Sequence, residues 1–355
     1  MKKYYLSILL FFPICLFAQL RNSDVYELPE MGKENIRENI NIPGFDGFET
    51  LKCDFHIHTV FSDGKVWPDV RVDEAWQQGL DAIAITDHIE YRPYKDQVLG
   101  DWNESYRIAK NHADQLGFIV IKGSEITREK PIGHLNALFI KDANKLALDN
   151  PVDALHEAKQ QGAFIMWNHP GWPDDKSTFY PIHKKLIKDG LINGIEVFNF
   201  LEYYPLAFDY ANEYNLTYMG NSDIHHLITG TYGGDKLARP LTLVFSSERS
   251  EAGIKEALFA QRTAVLFHGF LAGNDDILRK LFNAAVQIRE IKTGHGYTEW
   301  SNVSDLNFVL QIGSERYFLL PNRTLRLKLP DTGRIIVENC HTGKNSKLEF
   351  TLPLQ

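Results

Sequence analysis

Short apolar runs of strand length alternate with amphipathic stretches from Leu51 to about Phe245. LKCDFHIH (51–58) gives way to DVRVDEAWQQG (69–79), whose apolar residues recur at helical spacing, and then to LDAIAIT (80–86). The alternation continues through the helical WNESYRIAKNHADQLG (102–117), FIVIKGSEI (118–126), HLNALFI (134–140), the helical PVDALHEAKQQG (151–162) and AFIMWNH (163–169). HKKLIKDG, GIEVFNF, AFDYANEYN, LTYMGNSD and LTLVF extend it to residue 245. Repeated β-α units with apolar strands predict an α/β fold with a parallel sheet covered by helices, and so many in succession predict a barrel. Gly79, Gly117, Gly162 and Gly190 each fall where a helical pattern stops, as helix C-terminal glycines do. From Val286 the texture changes. SDLNFVLQI, TLRLKLP, GRIIVENC and SKLEFTLPL are short alternating runs divided by Gly, Pro and Asn, which predicts a small antiparallel β-sandwich, Ig-like in type.

Composition narrows the class. The 355 residues are 44% hydrophobic and 24% charged, without a low-complexity run, which fits a globular chain with a large core. The first residues set Lys2 and Lys3 before an apolar run that stops at Leu16-Phe17-Ala18. That run is too short to span a bilayer comfortably and is expected to act as an export signal, so residues 1–18 are assigned to a signal peptide and a periplasmic location follows. Lipid anchoring at Cys15 is disfavoured, because Phe12-Pro13-Ile14 is a poor approach to a lipidated cysteine. Residues 19–50 form a lead-in, 51–285 the barrel and 286–355 the β module. Loss of Lys2 and Lys3 takes the net charge from -8 to -10. An acidic chain with no basic block does not suit a long nucleic acid, which is gripped through many phosphate contacts; a small anion remains compatible where bound metal supplies positive charge. The mature chain keeps Cys53 and Cys340, expected as two lone thiols.

The candidate chemistry sits where strands finish. His56 and His58, two apart, point to one face of the first strand; an H-x-H pair by itself fits either a metal site or two surface histidines. Asp63 follows in a turn-like Ser-Asp-Gly setting. His88 ends AIAITDH, with Asp87 beside it as a supporting partner. Glu125 ends IVIKGSEI, His134 begins HLNAL, His169 ends FIMWNH, and MGNSDIHH carries Asp223 and His225. In a β/α barrel the C-terminal strand ends converge on one face, so side chains distant in sequence meet there.

With these residues in order, the chain resembles the PHP family, named for polymerase and histidinol phosphatase domains. The family's motifs run H-x-H-T with a following Asp, I-T-D-H, a Glu, H-P-G and D-x-H; here they are HIHTVFSD, ITDH, GSEIT, NHPG and SDIH. The resemblance covers roughly residues 51–270 and implies a distorted seven-stranded (β/α) barrel with a di- or trinuclear metal centre. Carried over, His56, His58, Glu125 and Asp223 would hold one ion; Glu125 as a bridge, His134 and His169 a second; and Asp63, His88 and His225 a third. A mixed imidazole and carboxylate set suits Zn, Mn or Fe. Asp54, two before His56, shares the ligand face deeper in the barrel and is expected to orient the site.

Two or three divalent metals at such a centre imply a phosphoesterase, with a metal-bridging hydroxide attacking a small phosphomonoester or phosphodiester. Glu125, Asp223 and His226 are the expected catalytic residues, His226 by proton transfer. Trp172, Arg92 and Arg239 are candidate substrate contacts. Two other readings stand beside this one: a metal-dependent amidohydrolase or carboxyl-ester hydrolase with Lys122 as a carbamylated bridge, and a non-enzymatic periplasmic metal-binding protein.

Overall fold

The computed structural model describes residues 37–234, 237–290, 297–330 and 333–352; the expected signal peptide 1–18, with Cys15, lies outside them. In chain order come β1 (Glu49–Asp54), α1 (Pro68–Gln77), β2 (Ala82–Ile85), α2 (Glu104–Leu116), β3 (Ile119–Ile126), β4 (Leu135–Leu138), α3 (Pro151–Gln160), β5 (Phe164–Trp167) and α4 (Pro181–Lys188). They are followed by β6 (Gly194–Asn199), β7 (Glu202–Tyr203), α5 (Pro205–Tyr214), β8 (Thr217–Asn221), α6 (Ile228–Tyr232), β9 (Leu241–Ser246), α7 (Glu251–Phe259), β10 (Thr263–Phe267), β11 (Phe270–Gly273) and α8 (Asp275–Ala285). Four of these helices, α1, α3, α4 and α5, begin on proline, whose fixed φ and missing N–H suit the first helical position. Gly79, Gly117, Gly162 and Gly190 all adopt positive φ just beyond helix ends. No helix among the described residues is long and apolar enough to cross a membrane.

Strands β2, β5, β6, β8, β9 and β10 are buried along their whole length, as expected of a sheet covered on both faces. β1, β2 and β3 are parallel, and so are β5, β6 and β8. The all-parallel expectation fails in part. β4 runs antiparallel to both β3 and β5, β9 runs antiparallel to β1, β10 runs antiparallel to β9 and β11, and the short β7 runs antiparallel to β6. The segment between β3 and β4 contains no helix, so the chain reverses rather than crossing over. That reversal matters for function. It puts the start of β4, and His134 just before it, beside the end of β3.

The described ladders do not run right round the barrel; threonine hydroxyls span the gap between β8 and the β9–β10 pair. Thr242 Oγ1 donates to the Gly220 carbonyl (2.9 Å) and accepts from the Gly220 amide (3.0 Å), and Thr263 Oγ1 donates to the Tyr218 carbonyl (2.8 Å). At the site end, the His58 amide donates to the Ile224 carbonyl at 3.1 Å, tying β1 to the chain leaving β8.

Beyond α8 the chain passes directly into β12 (Val286–Glu290), then β13 (Tyr297–Asn302), β14 (Phe308–Ile312), β15 (Glu315–Leu319), β16 (Thr324–Lys328), β17 (Gly333–His341) and β18 (Lys347–Leu352). β12, β13 and β16 form an antiparallel sheet. The remaining strands form the facing layer, with Trp300, Phe308 and Phe282 of α8 in the shared core. That layer is continuous with the barrel sheet, because β17 pairs in parallel with β11.

The seam allows no side chain at Gly220: a Cβ there would lie 2.1 Å from Val265 Cγ1, and Val265 is itself stiff and fully buried. Gly220→Ala is therefore expected to destabilise the fold by about 1–3 kcal/mol, seen as a lower Tm in thermal unfolding. An unchanged Tm would show that the seam is looser than described.

Candidate metal centre

The expected ligands reach one end of the barrel from six strands: His56, His58 and Asp63 follow β1, His88 follows β2, Glu125 lies on β3, His134 precedes β4, His169 follows β5, and Asp223 and His225 follow β8. The chain stays extended past β1, so His56 and His58 project to the same side and are both fully buried. Their imidazole Nε2 atoms are 3.1 Å apart. Glu125 Oε2 lies 3.2 Å from each of them, and Asp223 Oδ1 lies 3.2 Å from His56 Nε2 and 3.1 Å from His58 Nε2. Separations near this size are the edges expected when nitrogen and oxygen ligands surround one ion at about 2.0–2.2 Å.

The other carboxylate oxygen of Glu125 faces a second group: Oε1 is 2.7 Å from His134 Nδ1 and 3.9 Å from His169 Nε2. Asp223 also turns to this side, with Oδ2 3.7 Å from His169 Nε2. A third group gathers round Asp63 Oδ1, which is 3.2 Å from His225 Nε2 and 3.4 Å from His88 Nε2. All nine residues expected from the sequence are thus brought together, in sets whose ligand atoms lie within 4.8 Å of one another.

Three buried carboxylate oxygens, Asp63 Oδ1, Glu125 Oε1 and Asp223 Oδ1, have no hydrogen-bond partner. A buried oxygen without a donor is costly, and these three are the atoms that face imidazole nitrogens. The donor set fits divalent metal. The electrostatics follow from the crowding. Burial alone would lower the His56 imidazole, but Asp223, Glu196 and Glu125 hold it well above its ordinary range. His58 and His225 are also raised, each against burial, by Asp223 with Glu125 and by Asp63 with Asp223 respectively. Against the upward pull of burial, Glu125 is held well below the usual carboxylate range by His88 and His56, and Asp223 by His56 and His58.

A surrounding layer of hydrogen bonds sets which ring nitrogen faces inward. His56 Nδ1 donates to Glu196 Oε1 at 3.1 Å, leaving Nε2 for the cluster. Ser62 Oγ donates to Asp87 Oδ1 (2.7 Å) and so accepts from His58 Nδ1 (3.3 Å), and His225 Nδ1 donates to the Asp223 carbonyl (2.8 Å). Such partners fix the tautomer and orientation of metal-binding histidines. Asp87 therefore supports His58 through Ser62 rather than its neighbour His88, which instead meets Thr127 Oγ1 at 2.5 Å.

Two of these supporting residues escaped the sequence reading. Glu196, fully buried in β6, accepts from His56, from the His169 amide (2.7 Å), from Asn199 Nδ2 (2.8 Å) and from Asn221 Nδ2 (2.9 Å). An acidic residue inside the apolar run GIEVFNF was the available signal. Arg71 of α1 is 1% exposed and donates to the carbonyls of His58 (3.0 Å), Ile224 (3.2 Å) and His226 (2.7 Å). It clamps the chain on both sides of the cluster, and an arginine on a helix gives no local hint of that.

The expected substrate contacts divide. Trp172 and His226 line the cleft beside the cluster. His226 shares that cleft with His225 because the chain has left β8 by then: Asp223 has φ 49°, so strand alternation no longer applies. Arg239 does not reach it. It is 2% exposed and its guanidinium pairs with Asp54, with a further bond to Gln78 Oε1 (3.0 Å); a buried carboxylate needs a cation more than the cleft does. Arg92 is also turned away, donating to the carbonyls of Phe61 (3.1 Å) and Gly100 (3.0 Å) and covering the Trp102 ring. Asp54 receives the Ser222 amide at 3.1 Å as well as Arg239, and so braces the strand ends from below. Lys122 points away from the cluster, donating to the Lys141 carbonyl at 2.9 Å.

Comparison with known proteins agrees with this geometry. The sequence profile of the PHP domain matches residues 54–216. A crystal structure from Bacteroides vulgatus ATCC 8482, described as a two-domain protein containing a predicted PHP-like metal-dependent phosphoesterase, is 41% identical, covers 90% of this chain and 99% of its own, and superposes with a TM-score of 0.85. An uncharacterized protein of Methanocaldococcus jannaschii is 40% identical over 83 residues, 23% of this chain; the match spans 36% of that relative's length. With five ordered motifs, their ligand atoms gathered at one barrel end and a relative matched across nearly its whole length, the chain belongs to the PHP family.

Proposed function

We propose that this protein is an exported metal-dependent phosphoesterase that hydrolyses a small phosphomonoester or phosphodiester at a centre of two or three divalent ions. The observation that carries this reading is the set of three buried, unpartnered carboxylate oxygens facing six imidazoles beside an open cleft. Divalent ions held there supply positive charge to a phosphoryl group and make water more acidic. The chain's own residues do the rest. Glu125 spans two ligand groups through its separate oxygens, Asp223 faces both, and Asp63 anchors the third. His226, which lines the cleft, would give a proton to the leaving oxygen in this reading. Export is supported by Lys2 and Lys3 ahead of the apolar run that ends at Ala18. The position of Lys122 gives no support to a carbamylated-lysine amidohydrolase, and the cleft beside the cluster favours turnover over metal storage.

Metal content of the purified protein, taken with hydrolysis of chromogenic phosphomonoester, phosphodiester and carboxyl-ester substrates, tests the proposal. Metal with phosphoester turnover is expected; absence of metal, or turnover of the carboxyl ester alone, overturns it. Glu125→Ala is expected to lose activity and metal together, and retention of both would remove Glu125 from its bridging role. Glu196→Gln keeps every ligand but weakens the acceptor behind His56. Its metal affinity, measured by chelator competition, is expected to fall about 10–100-fold, and parental affinity would show that Glu196 does not orient the site.

Acidification gives a further test. A histidine binds metal only after losing its proton, and His56, His58 and His225 hold protons more tightly than free histidine when no ion is present. Metal affinity is therefore high above their raised pKa values and falls as pH drops through them, a fall that begins above the ordinary histidine value of about 6.5. Metal retained after dialysis at a series of pH values should show this; full retention down to about pH 5 would contradict it.

A further inference from the structure

The cleft beside the cluster has a volume of about 390 Å3. Asp223, His169 and His225 form its floor, and Trp172, Phe200, Glu202, Tyr204, His226 and Thr231 are prominent in its walls. Among the described residues no lysine or arginine lines it. Two aromatic side chains stand open there, Trp172 at 63% and Phe200 at 41% exposure.

These walls are built rather than incidental. Phe200, at the turn between β6 and β7, has φ 52°, an unfavourable conformation for a bulky residue. It is held by its amide donating to the Asn221 carbonyl (3.2 Å) and by Tyr232 Oη donating to its own carbonyl (3.1 Å). His169 and Asp223 also have positive φ, so three strained residues meet at this one cleft. Strain of this kind persists where surrounding structure enforces it, commonly at functional sites. The Trp172 amide donates to the His169 carbonyl at 2.8 Å, which couples the aromatic wall to a ligand. Glu202 accepts from Tyr204 Oη at 2.5 Å. Tyr204 is wedged over Gly171, where a Cβ would lie 2.7 Å from its Cε1. The rim carboxylate is thus tied to the loop that carries His169.

Resting on the phosphoester reading above, we propose that this cleft receives the alcohol part of the ester and selects a flat ring carrying no further negative charge. With the phosphoryl group at the cluster, a ring fits against Trp172 and Phe200, whose faces are otherwise wet. The free oxygen of Glu202 accepts from a hydroxyl or amine on that ring. A carboxylate or second phosphate held against Glu202 would meet its charge with no lysine or arginine among the described lining residues to offset it. Nucleotide polyphosphates and sugar bisphosphates are disfavoured on this ground, and ring monoesters with neutral or cationic substituents are favoured.

Non-hydrolysable phosphonates separate this claim from catalysis. Binding of methylphosphonate, phenylphosphonate and 4-carboxyphenylphosphonate to the metal-loaded full chain would be measured by calorimetry. Phenylphosphonate is expected to bind about fivefold more tightly than methylphosphonate through ring contacts, and about tenfold more tightly than its carboxylated form through repulsion at Glu202. Phe200→Ala should shrink the first gap and Glu202→Gln the second. Equal affinity for all three ligands, or a carboxylate penalty untouched by Glu202→Gln, overturns the cleft assignment while leaving the phosphoester reading standing. Failure of every phosphonate to bind the metal-loaded chain overturns both.

Discussion

Three carboxylates and six imidazoles share a few ångströms of buried space at one end of the barrel, and their mutual accommodation organises much of the structure around them. Unpaired polar groups in such a place are expensive, and unpaired charges more so. The chain meets this with layers. Inner atoms are left facing one another for metal, while the outer ring nitrogens of His56, His58, His88 and His225 are tied to Glu196, Ser62, Thr127 and the Asp223 carbonyl. Beneath them, Asp54 and Arg239 form a buried ion pair that braces Ser222 and the ends of β1 and β8.

This arrangement explains how two of the ligands keep a strained backbone. His169 and Asp223 adopt positive φ, and each is anchored on both sides. The His169 amide is fixed by Glu196, and the segment around Asp223 by the Ser222 amide to Asp54 and by Arg71 to the Ile224 carbonyl. A ligand held by several independent contacts cannot relax toward an easier backbone, so the geometry exists before any ion arrives. The same anchoring shapes the cleft. Phe200 and Trp172 hang from the loops that carry or touch the ligands, so the proposed ring site and the ligand cluster share one framework.

Much of the fold was legible locally. Strand-length apolar runs, helical periodicity and glycine stops all appear as the sequence pattern predicts, and the β-rich texture after Val286 corresponds to β12 through β18. The reversal of β4 was less visible. HLNALFI reads as a strand in either direction, and only the short helix-free segment before it indicates a hairpin. The same limit applies to side chains. Arg239 looks like any exposed arginine until its partner Asp54, 185 positions away, is brought beside it.

The sequence by itself determined the chemistry available to this protein: which histidines and acids stand at strand ends, and that their order matches the PHP family. These are local facts, carried by residue type and by a spacing of two along extended backbone. The tertiary structure decided which of those atoms face each other, that Glu196 and Arg71 support them, that Arg239 serves the core, and that an aromatic cleft, with no lysine or arginine among its described lining residues, opens beside the cluster. Those outcomes depend on strand order and direction, because only the curling of the sheet, with β8 set against β9 and β10, brings distant residues within hydrogen-bonding range.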